Sequence, residues 1–181
     1  MDSLKIIEIV DYWPEVVDDL SLVTWSHATN SHAELHQALV DGTMMIEADV
    51  SIGPDGQPIM AHPPAIVSDL SLQQFLDIVI AVSIKQVKSN YCFTMYTCIK
   101  ETERGTKKGI KLDFKSIDIV QPSLELMRTV ESRLEIPVWL NADIIVGPAG
   151  GDPVDADRFL DLCAQYFPGE ITWVSIVGPN T

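Results

Sequence analysis

Apolar and polar positions along this chain follow two periods, and the switches between them mark its elements. Residues 20–25 form a short apolar run that predicts a strand, ending in the polar cluster Ser26-His27-Ala28-Thr29-Asn30-Ser31. Residues 31–40 predict a helix: Ser31 can cap it, Glu34 holds the capping-box position, and Leu35, Ala38 and Leu39 share one face. Gly42 stands where that helix can end. Residues 44–50 predict a second strand, with Met45, Glu47 and Asp49 on one face and Ile46, Ala48 and Val50 on the other. Gly53-Pro54-Asp55-Gly56 reads as a turn. A short extended piece over residues 57–61 then delivers His62, and Pro63-Pro64 stops it.

A helical face begins after Ser71 with Leu72, Phe75, Leu76, Val79 and Ile80. Residues 81–106 then mix β-branched residues, lysines and two cysteines without a consistent period, so 78–106 stands apart as an atypical insertion. The rhythm resumes with a strand at 109–115, a helix at 118–134 and a strand at 136–142. A Gly/Pro loop at 147–153, a helix at 154–167 and a strand at 170–176 follow. Strands alternating with helices predict a parallel sheet or barrel, in a single α/β domain over 1–181.

Composition sharpens this picture in a few respects. With 46% hydrophobic and 21% charged residues among 181, the chain can bury a core. The longest strictly apolar stretch, 78–82, is far short of the ~20 residues of a membrane-spanning helix. Residues 1–17 carry four acids and lack a signal peptide's basic and apolar regions, so the expected compartment is cytoplasmic, with the extracellular space as the alternative. Cys92, Cys98 and Cys163 match no zinc or redox spacing and read as reduced thiols. A net charge of −14 argues against wrapping nucleic acid. Residues 84–115 nevertheless hold eight of the twelve bases, and an acidic protein can still bind phosphate through a metal.

The residues with chemical promise fall at or near predicted strand ends, where barrel enzymes place catalytic groups. His27 follows the first strand and His62 the extended piece; Glu47 and Asp49 share one strand face, and Lys111, Asp113 and Lys115 share another. Two carboxylates aimed into an apolar interior are costly without a cation. With Asp113 they offer an oxygen set suited to Mg²⁺ or Ca²⁺ rather than zinc. Two histidines then remain for acid and base work, and Lys115 for charge on phosphoryl oxygens. Asn141 and Asp143 share a face of a later strand; Asn141 is expected to reach the site with Lys111, and Asp143 to orient a loop. The bland alternatives are hydrogen-bonded structural histidines and a solvated sheet face for Glu47 and Asp49. His32 and His36, spaced i, i+4 on a helix but without a third ligand, are expected at the surface.

The runs TWSHATNS (24–31), MMIEADV (44–50), PIMAHPP (58–64), KGIKLDFKS (108–116), VWLNADII (138–145) and VDADRFLDLC (154–163) resemble the menorin family. That family is similar to glycerophosphodiester phosphodiesterases and spider-venom sphingomyelinase D. The resemblance implies a TIM-type (β/α) barrel of the phospholipase C-like phosphodiesterase kind. It implies His27 and His62 as acid and base, Glu47, Asp49 and Asp113 as metal ligands, and Lys115 as the phosphate-facing lysine. The chain departs from those phosphodiesterases at Ala28, where they usually carry Arg, and at Pro63, where they carry Asp. It reads WVSIVGPNT over 173–181, where menorin relatives would continue, so the expectation is a partial barrel lacking its C-terminal strands. The implied function is metal-dependent cleavage or cyclisation of a small phosphodiester, such as a glycerophosphodiester or a lysophospholipid headgroup. The alternative is a catalytically silent module of the same fold that binds a ligand or a protein partner.

Overall fold

The computed structural model describes residues 9–83, 107–146 and 152–168. Its elements in order are α1 (Ile9–Tyr12), β1 (Trp25–Ser26), α2 (His32–Val40), β2 (Met45–Ile52), β3 (Pro58–Met60) and α3 (Leu72–Ser83). After these come β4 (Gly109–Phe114), α4 (Ile117–Val130), β5 (Val138–Ala142) and α5 (Ala156–Tyr166). The strand expected at 170–176, most of the loop at 147–153, and the greater part of the 78–106 insertion lie outside the described residues. Residues 78–83 complete α3.

Parallel strands run in the order β1-β2-β4-β5, and β3 pairs antiparallel with β2. The expected parallel sheet of a mixed α/β fold is therefore present. Register gives the sheet two unlike faces. Ile46, Ala48 and Val50 stand beside Ile110, Leu112 and Phe114, which stand beside Val138, Leu140 and Ala142. Eight of the nine belong to the main core, packed with apolar residues of α2 to α5, and half-buried Val138 packs against it. The opposite face carries Met45 beside Gly109, then Glu47, Lys111 and Trp139 in one row, and Asp49, Asp113 and Asn141 in the next. Below these polar rows, Ile9, Trp13, Val16 and Val23 pack on Met45 as a second apolar cluster.

Local chemistry sets the element ends. Ser31 Oγ accepts the Glu34 N–H, as the capping pattern predicts. Ser71 and Gln74 form a reciprocal capping box at the start of α3. The apolar run 20–25 is not a strand: residues Leu20–Leu22 form a 3-10 turn, and pairing starts only at Trp25. The Asp19 carboxylate accepts the Ser21 N–H at 2.9 Å, and this local bond favours a turn over an extended chain. Gly109 meets β2 so closely that a Cβ there would overlap Met45 Sδ.

Candidate metal centre

Glu47 and Asp49 lie mid-strand in β2 rather than at its end, because β2 continues to Ile52. Both are only 2% exposed, and Asp113 is 7% exposed, which rules out a solvated sheet face for them. One carboxylate oxygen from each of the three can be chosen so that all lie within 4.8 Å of one another. The β2–β4 register, which sets Asp49 directly beside Asp113, produces this convergence.

Each acid has its own partners. Glu47 Oε2 accepts the Ala28 N–H at 2.7 Å and lies 2.8 Å from His27 Nδ1. Ala28 adopts a left-handed backbone (φ 53°) to make that contact, a conformation that costs an L-residue about 1–2 kcal/mol. Glu47 Oε1 is buried and has no hydrogen-bond partner among the described residues. Burial, followed by repulsion from Asp49, holds the Glu47 carboxyl above its ordinary pKa, against the Ala28 bond and the charges of His27 and Lys111. Lys115 Nζ bridges Asp49 Oδ1 at 2.8 Å and Asp113 Oδ2 at 2.7 Å. Burial alone would lower the Lys115 pKa, but Asp113 and Asp49 outweigh it and hold the ammonium above the usual lysine value. Asn141 Nδ2 donates to Asp113 Oδ1 at 2.8 Å.

Of the residues singled out from the sequence, Asp49, Lys115, Asp113 and Asn141 form one bonded chain, and the His27–Glu47 pair stands beside it through the convergence of the three acids. Half-buried Lys111 joins through its charge on Glu47. His62 is exposed, and its Nδ1 lies 2.7 Å from its neighbour's carbonyl, Pro63 O, rather than on the cluster. The Ala61 N–H donates to the Asp49 carbonyl at 3.0 Å, which places His62 one residue beyond that strand contact. Asp143 is half-buried; burial and then Asp113 push its carboxyl up, while its backbone carbonyl accepts the Val154 N–H at 2.8 Å. His32 and His36 are half-buried rather than exposed and stand outside the acidic group. Sequence reasoning missed Asn30, whose side chain bonds Asp49 twice. It also missed Lys108, fully buried and donating to the Asp41 and Thr43 carbonyls. Both sit inside the motif runs, but their partners are distant in sequence.

The three acids fit a hard divalent cation: all their donors are oxygens, and a buried carboxylate oxygen without a donor is the feature such an ion satisfies.

A parallel α/β sheet carrying buried carboxylates bridged by a lysine defines the class of protein. Within that class the chain belongs to the menorin family: the model of the menorin N-terminal domain matches residues 19–176. The human protein FAM151B is 43% identical over 156 residues, a match that covers 83% of this chain and 48% of FAM151B. The chain thus spans about half the length of that curated relative. The crystal structure of S. officinalis PLC21 is a distant likeness, 14% identical with a TM-score of 0.35, covering 84% of this chain and 20% of that one.

Proposed function

We propose that this domain is phosphodiesterase-like and metal-dependent, acting on a small phosphodiester such as a glycerophosphodiester or a lysophospholipid headgroup. In this reading the parallel sheet is one arc of a (β/α) barrel, with the polar rows facing its interior. The observation that carries it is the buried, partnerless Glu47 Oε1 in a cluster with Asp49 and Asp113.

Glu47, Asp49 and Asp113 would hold Mg²⁺ or Ca²⁺, which supplies charge neutralisation for phosphoryl oxygens when bound. Lys115, fixed by two carboxylates, offers a second positive charge to the same oxygens. His27 and His62 divide the proton transfers. One takes the proton of the attacking hydroxyl as its oxygen bonds to phosphorus, and the other protonates the oxygen that departs. A hydroxyl of the substrate as attacker gives a cyclic phosphate, and water gives hydrolysis. Glu47 Oε2 orients the His27 ring, while Lys111 and Asn141 line the substrate side.

The test follows glycerophosphocholine and lysophosphatidylcholine by ³¹P NMR with Mg²⁺ or Ca²⁺. The expected result is turnover by the wild type, abolished in His27→Ala and in His62→Ala. Turnover that survives in both variants would overturn the assignment. A silent binding module is the second reading; Ala28, Pro63 and the contact of His62 with Pro63 favour it. Ion binding without turnover would select it.

A further inference from the structure

We infer that Asn30 is a positioning residue that sets the Asp49 carboxylate for a divalent cation; this rests on reading the acidic cluster as a cation centre. Both ends of the Asn30 amide go to the same residue. Its Oδ1 accepts the Asp49 backbone N–H at 2.9 Å, and its Nδ2 donates to Asp49 Oδ2 at 2.7 Å. Only this orientation of the amide is consistent, because the backbone N–H needs an acceptor and the carboxylate a donor.

Asn30 is itself fixed from outside the centre. Its N–H donates to Glu34 Oε2 at 3.0 Å, and its carbonyl accepts from Ser68 Oγ at 2.8 Å. The helix cap at Ser31 and the loop before α3 therefore hold the asparagine, and the asparagine holds the acid. Lys115 Nζ takes the other oxygen of Asp49, so the carboxylate is gripped from two sides. Tying the loop to β2 requires only the bond to the backbone N–H. The Nδ2 bond acts on the carboxylate alone, which separates a positioning role from a merely structural one. Outer partners of this kind typically change metal affinity 10–100-fold.

The experiment measures Mg²⁺ and Ca²⁺ affinity by calorimetry, with thermal melting in parallel, for the full 181-residue chain. The variants are Asn30→Ala, Asn30→Asp and, as a remote destabilising control, Lys108→Met. Asn30→Ala is expected to weaken affinity about 10–100-fold. Asn30→Asp keeps the acceptor for the Asp49 N–H but sets an oxygen against Asp49 Oδ2. It too is expected to weaken affinity, although it adds a negative charge. Lys108→Met should lower the melting temperature and leave affinity unchanged. Wild-type affinity in Asn30→Ala, or tighter binding in Asn30→Asp, would overturn the inference. If Asn30→Ala does not fold, the isosteric Asn30→Asp decides. A wild type that binds neither ion would instead overturn the cation-centre reading, and this inference with it.

Discussion

Lys115 and Glu47 sit in one cluster under opposite electrostatic pressures. Lys115 compensates two buried acids, so Lys115→Met leaves Asp49 and Asp113 facing each other without a cation; breaking such a pair costs about 3–5 kcal/mol. Denaturant unfolding in EDTA should show that loss, and saturating Ca²⁺ should stabilise this variant more than the wild type. Glu47 acts in the other direction. A carboxyl with a higher pKa in the fold than in the unfolded chain binds protons more readily when folded. Its contribution to stability is fullest in acid and falls as pH rises from about its ordinary value of 4.5 through the raised value. Glu47→Gln should flatten that part of the metal-free stability profile, measured by melting across pH. The acids were legible at this scale because alternation in a strand puts Glu47 and Asp49 on one face. Asn30 was not, because its partner Asp49 lies 19 residues away and nothing in local spacing announces the bond.

Among the described residues the elements kept their predicted order, while some changed character. Caps at Ser31 and Ser71 are local chemistry: the Ser31 cap starts α2 as its pattern predicts, and the Ser71 cap, which the pattern did not announce, starts α3 where the helical face begins. The 20–25 run misleads because apolar content alone does not make a strand; Leu20 and Leu22 are exposed on a turn. The turn at 53–56 was legible, with Gly56 at φ 79°, but not that β3 folds back antiparallel on β2. Lys108 joins β4 to the end of α2 through the Thr43 carbonyl at 2.6 Å and the Asp41 carbonyl at 3.1 Å. Burial lowers its pKa, with Asp41 opposing. Lys108→Met removes these donors and should cost about 1–3 kcal/mol in chemical denaturation, because the carbonyls lose a partner.

At the scale of the whole molecule, alternating strands and helices foretold the parallel sheet, but only cross-strand register turns two short motifs into one centre. ExD on β2 and DxK at the end of β4 meet because Asp49 pairs with Asp113, a relation that neither strand carries alone. The helix-packed face supplies the rigidity, and the opposite face concentrates the charge. This buried acidic face is the divalent cation site proposed above. Calorimetric titration of the 181-residue chain with Ca²⁺ and Mg²⁺, beside the Glu47→Gln/Asp49→Asn double variant, tests it most directly. One saturable site is expected in the wild type and none in the double variant; equal binding by both, or binding by neither, would rule out a cation site formed by these acids.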